Sequence, residues 1–244
     1  IKAGRVGAML NIKGVKYTRE MQNYAMQSRL RIPLLFGQDV IHGLRTIYPI
    51  PLGEAASFDL DLMERTAAGA AEEASAQGIH WTFAPMVDIT RDARWGRVME
   101  GAGEDTWYGS RVAEARVRGF QGDDLADTHT VMACAKHFAA YGAAIAGKDY
   151  NTVDISDLTL HDTYLPPFRA AANAGVATFM NSFNDINGIP ATGNAYIQRD
   201  ILKEGWAFSG FIVSDWGSVK EMVAHGYASD LKASAEIAIH AGCD

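Results

Sequence analysis

The chain has 244 residues, of which 48% are hydrophobic and 21% charged, and its formal net charge is −7. This length suits one large domain, and a (β/α)8 barrel needs about 250 residues. The acidic balance argues against a nucleic-acid partner, and no apolar run reaches the roughly 18 residues that a membrane span needs, so we expect neither nucleic acid nor a membrane as partner.

Six short apolar runs follow one another along the chain, each too short for a core helix. We predict strands at 6–10, 33–39, 81–85, 131–138, 177–183 and 211–216, and the opening of a seventh at 241–244. Apolar residues spaced by three or four predict a helix at 60–74 that stops at Gly78, and weaker helices at 17–30, 106–120, 194–206 and 230–240. Pro166 and Pro167 divide a further helical stretch at 157–174.

Alternation of helices with continuously apolar strands indicates a parallel sheet covered by helices. A doubly wound sheet and a closed barrel share this pattern. The first strand is not followed by Gly-x-Gly-x-x-Gly, so a dinucleotide cofactor is not expected. Polar residues instead close nearly every run, which is typical of a barrel. They are Asp39, Asp88, Lys136, His137, Asn181 and Asp215.

The fold class predicted is therefore α/β, a (β/α)8 TIM-type barrel that is incomplete, with about six strands and the start of a seventh. We expect residues 1–244 to be a catalytic barrel domain truncated at both ends, completed by another segment of a longer polypeptide. Cys134 and Cys243 have no metal-ligand or redox spacing and are expected to be buried small side chains. No clustered His, Asp or Glu set closes a strand, so neither a metal nor another cofactor is expected.

Asp215 ends the run 210–217 and is our candidate nucleophile, although an aspartate here could instead cap the helix that starts near Ser218. Lys136 needs a carboxylate or a ligand, because an unpaired buried charge costs several kcal/mol. The adjacent His137 is either a core histidine or, with Lys136, a binder of sugar hydroxyls.

Three further side chains are candidates for substrate binding. Asp39 can accept two hydroxyl hydrogens and Arg97 offers a planar fork of donors, but each could equally belong to an internal ion pair. Trp216 could form an apolar platform for the face of a sugar, or lie in the core.

Four motifs carry a family resemblance, in this order: Arg91-Asp92-Ala93-Arg94-Trp95-Gly96-Arg97, Gly103-Glu104-Asp105, Lys136-His137-Phe138 and Val213-Ser214-Asp215-Trp216. Together they resemble the N-terminal barrel of glycoside hydrolase family 3 β-glucosidases of the periplasmic bacterial type, over essentially the whole chain. The resemblance implies a retaining, exo-acting enzyme that removes terminal non-reducing β-D-glucosyl residues through a covalent glycosyl-enzyme.

By the same resemblance Asp215 is the nucleophile, and Asp39, Arg97, Lys136 and His137 bind the sugar, while Trp216 borders the next subsite. Retaining hydrolysis also needs a carboxylic acid about 5 Å from the nucleophile. In similar enzymes that glutamate belongs to a second α/β domain, which would lie outside this sequence. The resemblance further implies a small β-glucoside or oligosaccharide as substrate, and a periplasmic or secreted protein.

Two departures from the family pattern stand out. Phe183 occupies a position where many relatives carry a tyrosine that hydrogen-bonds near the nucleophile, so Asp215 is expected to lack one partner. No Asp-x-His pair follows Lys136, His137 and Phe138, which disfavours a β-N-acetylglucosaminidase.

Three alternatives stay open. The first is a family 3 glycosidase of another specificity, a β-xylosidase or a β-N-acetylglucosaminidase. The second is a carbohydrate-binding barrel fragment without turnover. The third is a Schiff-base aldolase that uses Lys136, since a desolvated lysine can become nucleophilic.

Overall fold

The computed structural model describes all residues 1–244, an α/β fold in which short strands alternate with helices. The strands are β1 (Ala8–Leu10), β2 (Leu35–Gln38), β3 (Trp81–Thr82), β4 (Cys134–Phe138), β5 (Thr178–Asn181), β6 (Asp185–Ile186), β7 (Ile189–Pro190) and β8 (Phe211–Val213). Each of the six predicted apolar runs contains one of the strands β1 to β5 and β8. The antiparallel hairpin β6–β7 lies in the loop after β5 and was not predicted.

The six main strands are parallel and form two sheets, in the order β1-β2-β3 and β4-β5-β8. Two single parallel bridges, Trp81 with Met132 and Met86 with Lys136, connect the segments around β3 and β4. The strands therefore follow one another in chain order, with their carboxyl ends at the same edge. The prediction of a seventh strand from 241 is wrong, because only Asp244 lies beside β8, its N–H donating to the Ile212 carbonyl at 2.9 Å.

Helices connect the strands largely where the sequence predicts them. They are α1 (Val15–Met26), α2 (Pro51–Ala55), α3 (Leu60–Ser75), α4 (Thr106–Gln121), α5 (Asp157–Thr159), α6 (Pro166–Asn173), α7 (Ser218–Ala224) and α8 (Leu231–Ala241). The stretch predicted at 194–206 is helical but π-wound, over Tyr196–Gly205, and a π-helical turn at Leu160–Tyr164 precedes Pro166. The short α2 was not predicted.

Helix α3 shows how local sequence sets these elements. The Asp59 carboxylate accepts the Leu62 N–H at 2.9 Å, capping the helix, and Gly78 follows its end with a φ of +78°, a conformation that favours glycine. The inner face carries small buried side chains such as Ala67 and Ala71, so α4 packs closely against it. A Cβ on Gly119 of α4 would collide with the backbone of α3, which explains the glycine there.

Aromatic side chains fill the space between the sheets and the helices. Phe138 of β4 and Phe179 of β5 are fully buried, and both pack against Phe168 of α6, with ring centroids 5.1 to 6.2 Å apart. Cys134 and Cys243 are buried and unpaired, as predicted. None of the helices combines the length and the apolar character needed to cross a bilayer.

Candidate active site

The carboxyl ends of the strands surround a cavity of about 490 Å³, and all six predicted site residues line it. These are Asp39, Arg97, Lys136, His137, Asp215 and Trp216. Apolar side chains, including Met9, Trp81 and Met180, form the rest of the wall. A concave, mostly apolar pocket with a few convergent polar groups is the usual form of a small-molecule site.

A bulge in β4 turns two adjacent side chains toward this cavity. Ala135 lies opposite Phe179 and Phe138 lies opposite Asn181, so three steps along β4 correspond to two along β5. In a regular strand neighbouring side chains point to opposite faces. The extra residue therefore accounts for Lys136 and His137 lining the same cavity.

Lys136 has the carboxylate that its burial requires. Its side chain is 4% exposed, and Nζ lies 3.1 Å from Oδ1 of Asp39, whose side chain is 48% exposed. The pair joins the ends of β2 and β4. Asp39 keeps its second oxygen open toward the cavity and the solvent.

Arg97 reaches the cavity from the loop after β3, held by Glu100. Its Nε and Nη2 donate to the two Glu100 oxygens at 2.7 and 3.0 Å, a bidentate geometry that fixes the guanidinium plane. The guanidinium also lies over the Tyr141 ring, 5.6 Å from its centroid. Its remaining donors are thus oriented in advance of any ligand.

His137 is fully buried and pairs with Asp88, which closes an apolar run in the sequence but is not among the predicted site residues. Oδ2 of Asp88 accepts the His137 backbone N–H at 2.9 Å and lies 2.9 Å from the ring Nδ1. Burial raises the pKa of Asp88 to about 7. Burial, with the charges of Arg97 and Lys136, lowers the pKa of His137 well below its ordinary value, so the imidazole is neutral.

Asp215 lies two residues beyond β8 with its carboxylate against the cavity. Oδ1 accepts the Trp216 N–H at 2.6 Å, whereas Oδ2 is buried, has no hydrogen-bond partner and lies 3.6 Å from Nε2 of His137. Burial raises the pKa of Asp215 to about 6, against the opposing effects of the Trp216 N–H, Lys136 and Arg97. The residue before α7 is Gly217, so the Asp215 side chain does not cap that helix.

A buried amide, Asn181 at the end of β5, supports the backbone around Asp215. Its Oδ1 accepts from Thr192 Oγ1 at 3.0 Å and from the Asp215 N–H and Ser218 Oγ, both at 3.4 Å. Its Nδ2 donates to Gln198, which is itself fully buried. Asn181 was likewise noted as a strand-closing residue but not named as a site residue, because its partners come from distant parts of the chain.

Aromatic side chains form the rim of the cavity. Trp216 is 79% exposed, so it is not a core residue. Phe183 packs against Tyr150, with ring centroids 4.5 Å apart, and both line the cavity. Phe183 carries no hydroxyl, and Asp215 Oδ2 makes no hydrogen bond.

The groups that line the cavity are suited to two tasks, binding hydroxyl groups and attacking an electron-poor carbon. Paired charges and fixed donors suit the hydroxyls of an uncharged molecule, because they accept and donate hydrogen bonds without adding net charge. A buried carboxylate with one free oxygen can attack an electron-poor carbon or stabilise positive charge beside it. Asp39 and Asp215 are the two carboxylates that line the cavity, and the first is paired with Lys136.

Comparison with known proteins shows where such a domain occurs. The family model described as "Glycosyl hydrolase family 3 N terminal domain" matches residues 1–244. A periplasmic beta-glucosidase of Salmonella typhimurium is 46% identical over 245 residues, covering 100% of this chain and 32% of that protein. A beta-xylosidase of Formosa agariphila is 34% identical over 243 residues, 94% of this chain and 34% of that protein.

Solved structures agree with the sequence matches. A mutant beta-glucosidase from Listeria innocua, crystallised in complex with laminaribiose, superposes with a TM-score of 0.95 at 44% identity. The alignment covers 97% of this chain and 33% of that one. The chain thus spans about a third of the length of the relatives it matches.

Proposed function

The chain belongs to glycoside hydrolase family 3, whose N-terminal domain it matches from end to end, and from this we propose that the whole protein is a retaining, exo-acting β-glucosidase. It would remove terminal non-reducing β-D-glucosyl residues from small glycosides or oligosaccharides. The observation that carries the proposal is Asp215: its Oδ2 is buried at the cavity wall, without a partner, beside groups that suit sugar hydroxyls.

In this proposal Asp215 is the catalytic nucleophile. Hydrolysis passes through an oxocarbenium-like transition state, so a carboxylate close to the anomeric carbon stabilises the positive charge and then bonds to that carbon. Oδ2 makes no hydrogen bond in the structure, while Oδ1 accepts the Trp216 N–H. Because burial raises the pKa of Asp215 to about 6, the attacking form becomes abundant above that pH.

The remaining five predicted residues bind the sugar. Asp39 and Arg97 would take neighbouring hydroxyls through charge-assisted hydrogen bonds, which are the stronger kind. Lys136 and His137 would bind sugar hydroxyls in the space between those two residues and the nucleophile. The exposed Trp216 would face the next sugar or the aglycone. Lys136 is engaged with the Asp39 carboxylate, which leaves the Schiff-base aldolase without a free amine and disfavours it.

We also propose the larger architecture. The six parallel strands in chain order, with Asp244 beside β8, would be the first part of a TIM-type (β/α)8 barrel that another segment completes. The relatives are about three times as long as this chain, which supports a second α/β domain. By the family resemblance that domain would supply the acid/base glutamate, and Asp39, the other carboxylate at the cavity, is paired with Lys136.

Substrate class and location follow the relatives. The periplasmic beta-glucosidase and the laminaribiose complex favour a glucoside and a periplasmic or secreted protein. The beta-xylosidase of Formosa agariphila makes a β-xylosidase the second candidate. Either enzyme would use Asp215 in the same way, because the two sugars differ only at the C5 substituent.

Hydrolysis by the full-length protein tests the proposal. We expect faster release of 4-nitrophenol from the β-D-glucoside than from the β-D-xyloside, turnover of laminaribiose, and, in proton NMR of the 4-nitrophenyl β-D-glucoside reaction, β-glucose before α-glucose. Faster xyloside cleavage would favour the second candidate, and α-glucose appearing first would exclude a retaining mechanism. Isolated residues 1–244, assayed beside it, should not turn over either substrate.

A further inference from the structure

Asp88 is the one buried carboxyl near the cavity that the proposed reaction does not use. It lies behind His137, out of reach of any substrate, and 2% of its surface is exposed. One oxygen, Oδ2, meets both the backbone N–H and the ring Nδ1 of His137, at 2.9 Å each. The other, Oδ1, is buried and makes no hydrogen bond of ordinary length, although the Tyr141 backbone N–H lowers the pKa of this carboxyl. Burying a carboxyl oxygen without a good hydrogen bond costs free energy of folding.

The geometry allows two hydrogen-bond arrangements that differ by one proton. When Asp88 is ionised, Oδ2 accepts from Nδ1–H, and the Nε2 lone pair of the neutral ring faces Asp215. When Asp88 carries a proton, that proton sits on Oδ2, which donates to Nδ1, because Oδ1 has no acceptor beside it. The ring then carries its own proton on Nε2, directed at Asp215 Oδ2.

We propose that Asp88 is a positioning residue for the nucleophile, which sets through the tautomer of His137 whether Nε2 donates to Asp215 or turns a lone pair toward it. This inference rests on the proposed function of Asp215. The gap of 3.6 Å between Nε2 and Oδ2 is too long for a hydrogen bond, but such contacts tighten when substrate binds. A donated hydrogen bond favours the carboxylate, and a facing lone pair disfavours it.

The surroundings of Asp88, His137 and Asp215 favour a change of the His137 tautomer near neutral pH. Burial raises the pKa of Asp88 to about 7, so the carboxyl is protonated where a nucleophile of pKa about 6 begins to ionise. The other titratable or charged neighbours are Arg97, Glu100, Tyr141 and Tyr164 beside Asp88, Lys136 beside His137, and Asp39, Cys134 and Tyr150 beside Asp215.

Asp88→Asn in the full-length protein separates the two arrangements. The His137 backbone N–H must keep an acceptor, so the amide oxygen takes the place of Oδ2 and holds the proton on Nδ1 at every pH. Nε2 then always turns its lone pair to Asp215. Inactivation by 2,4-dinitrophenyl 2-deoxy-2-fluoro-β-D-glucoside measures the attack of Asp215 alone, because this leaving group needs no acid.

For the wild-type protein we expect the inactivation rate to rise through about pH 6, more gradually than one ionisation gives because the pKa of Asp215 increases as Asp88 ionises, and to level off near pH 8. In Asp88→Asn the curve should become that of a single ionisation, its midpoint should move up by about half to one pH unit, and the rate at pH 5.5 should drop about 3- to 8-fold. Asp123→Asn, an exposed loop aspartate, is the matched control and should reproduce the wild-type curve.

A double-mutant cycle with His137→Ala tests whether Asp88 acts through the ring. In that background Asp88→Asn should cost little further rate, whereas an equal additional loss would overturn the proposal. An unchanged pH curve in a folded Asp88→Asn variant would also overturn it. If that variant does not fold, a wild-type rate that follows a single ionisation near pH 6 has the same consequence. Absence of inactivation in the wild-type protein would instead reject the proposed function itself.

Discussion

The two carboxylates at the cavity sit in opposite environments. Asp39, after β2, is half exposed and paired with Lys136, so its charge is compensated before a ligand arrives. Asp215, after β8, has a side chain 13% exposed, one oxygen without a partner and a pKa raised to about 6 by burial. Groups of one type whose environments differ in this way have different roles. In the proposed function, the β2 side of the cavity binds the sugar and the β8 side carries the reacting carboxylate.

The largest effect should come from removing the reactive carboxylate. We expect Asp215→Ala to lower kcat of the full-length protein by about 10⁴-fold or more, as losses of a catalytic nucleophile do. Folding should be retained, since the change removes a buried carboxylate with an unsatisfied oxygen. The check is glucoside hydrolysis beside a thermal unfolding curve. Near-normal turnover in this variant would show that Asp215 is not the nucleophile.

Asp39→Asn addresses the β2 edge. Removing a charged hydrogen-bond partner costs about 1.5 to 3 kcal/mol, so kcat/KM should fall about 10- to 150-fold. If this edge mainly binds, KM should carry a clear share of the loss, and the rise of kcat with pH should move only slightly to lower pH, because the Asp39 charge also raises the pKa of Asp215. Steady-state kinetics across pH measure both. A drop as deep as that of Asp215→Ala would mean that the two carboxylates share the chemistry.

Asn181→Ala tests how the β8 edge is held. The change leaves buried donors of Thr192 and Asp215 without their acceptor, each loss costing about 1 to 3 kcal/mol. We expect a lower Tm and about tenfold lower kcat, with little change in KM. Asn173→Ala, at the end of α6, is a control of the same kind of substitution away from the cavity. Equal effects of the two variants would show that Asn181 has no special role in holding Asp215.

The last prediction concerns how the stability of the folded domain changes with pH. The pKa of Asp88 is raised to about 7 and that of Asp215 to about 6, so the folded domain holds protons that the unfolded chain releases from about pH 4 upward. Stability should therefore fall as pH rises from about 4 to 7. Thermal unfolding at the two pH values should give a lower Tm at pH 8 than at pH 5. Asp88→Asn should flatten this dependence.

The alternating pattern predicts the strands well because each strand is a short apolar run closed by a polar residue. The same reasoning brings Asp39, Lys136, His137 and Asp215 to one edge, since parallel strands end together. The bulge in β4 could not be predicted, because it depends on how β4 pairs with β5 and not on the sequence of β4. Without the bulge, Lys136 and His137 would point apart.

Other residues were visible in the sequence, but their roles were not. Asp88 and Asn181 both close apolar runs, yet their partners, His137 and Asp215, lie 49 and 34 residues away. Pairings of this kind are set by the arrangement of the strands. The π-helical winding of Tyr196–Gly205 is not predicted either, because apolar spacing indicates a helix but does not tell an α-helix from a π-helix.

The most direct test of the account is to find the covalent intermediate. The full-length protein is treated with 2,4-dinitrophenyl 2-deoxy-2-fluoro-β-D-glucoside, digested with a protease and mapped by mass spectrometry. We expect one fluoroglucosyl group per molecule, on the peptide that contains Asp215. Labelling of another carboxylate, such as Asp39, or full glucosidase activity without any label, would contradict the assignment of Asp215 as the nucleophile.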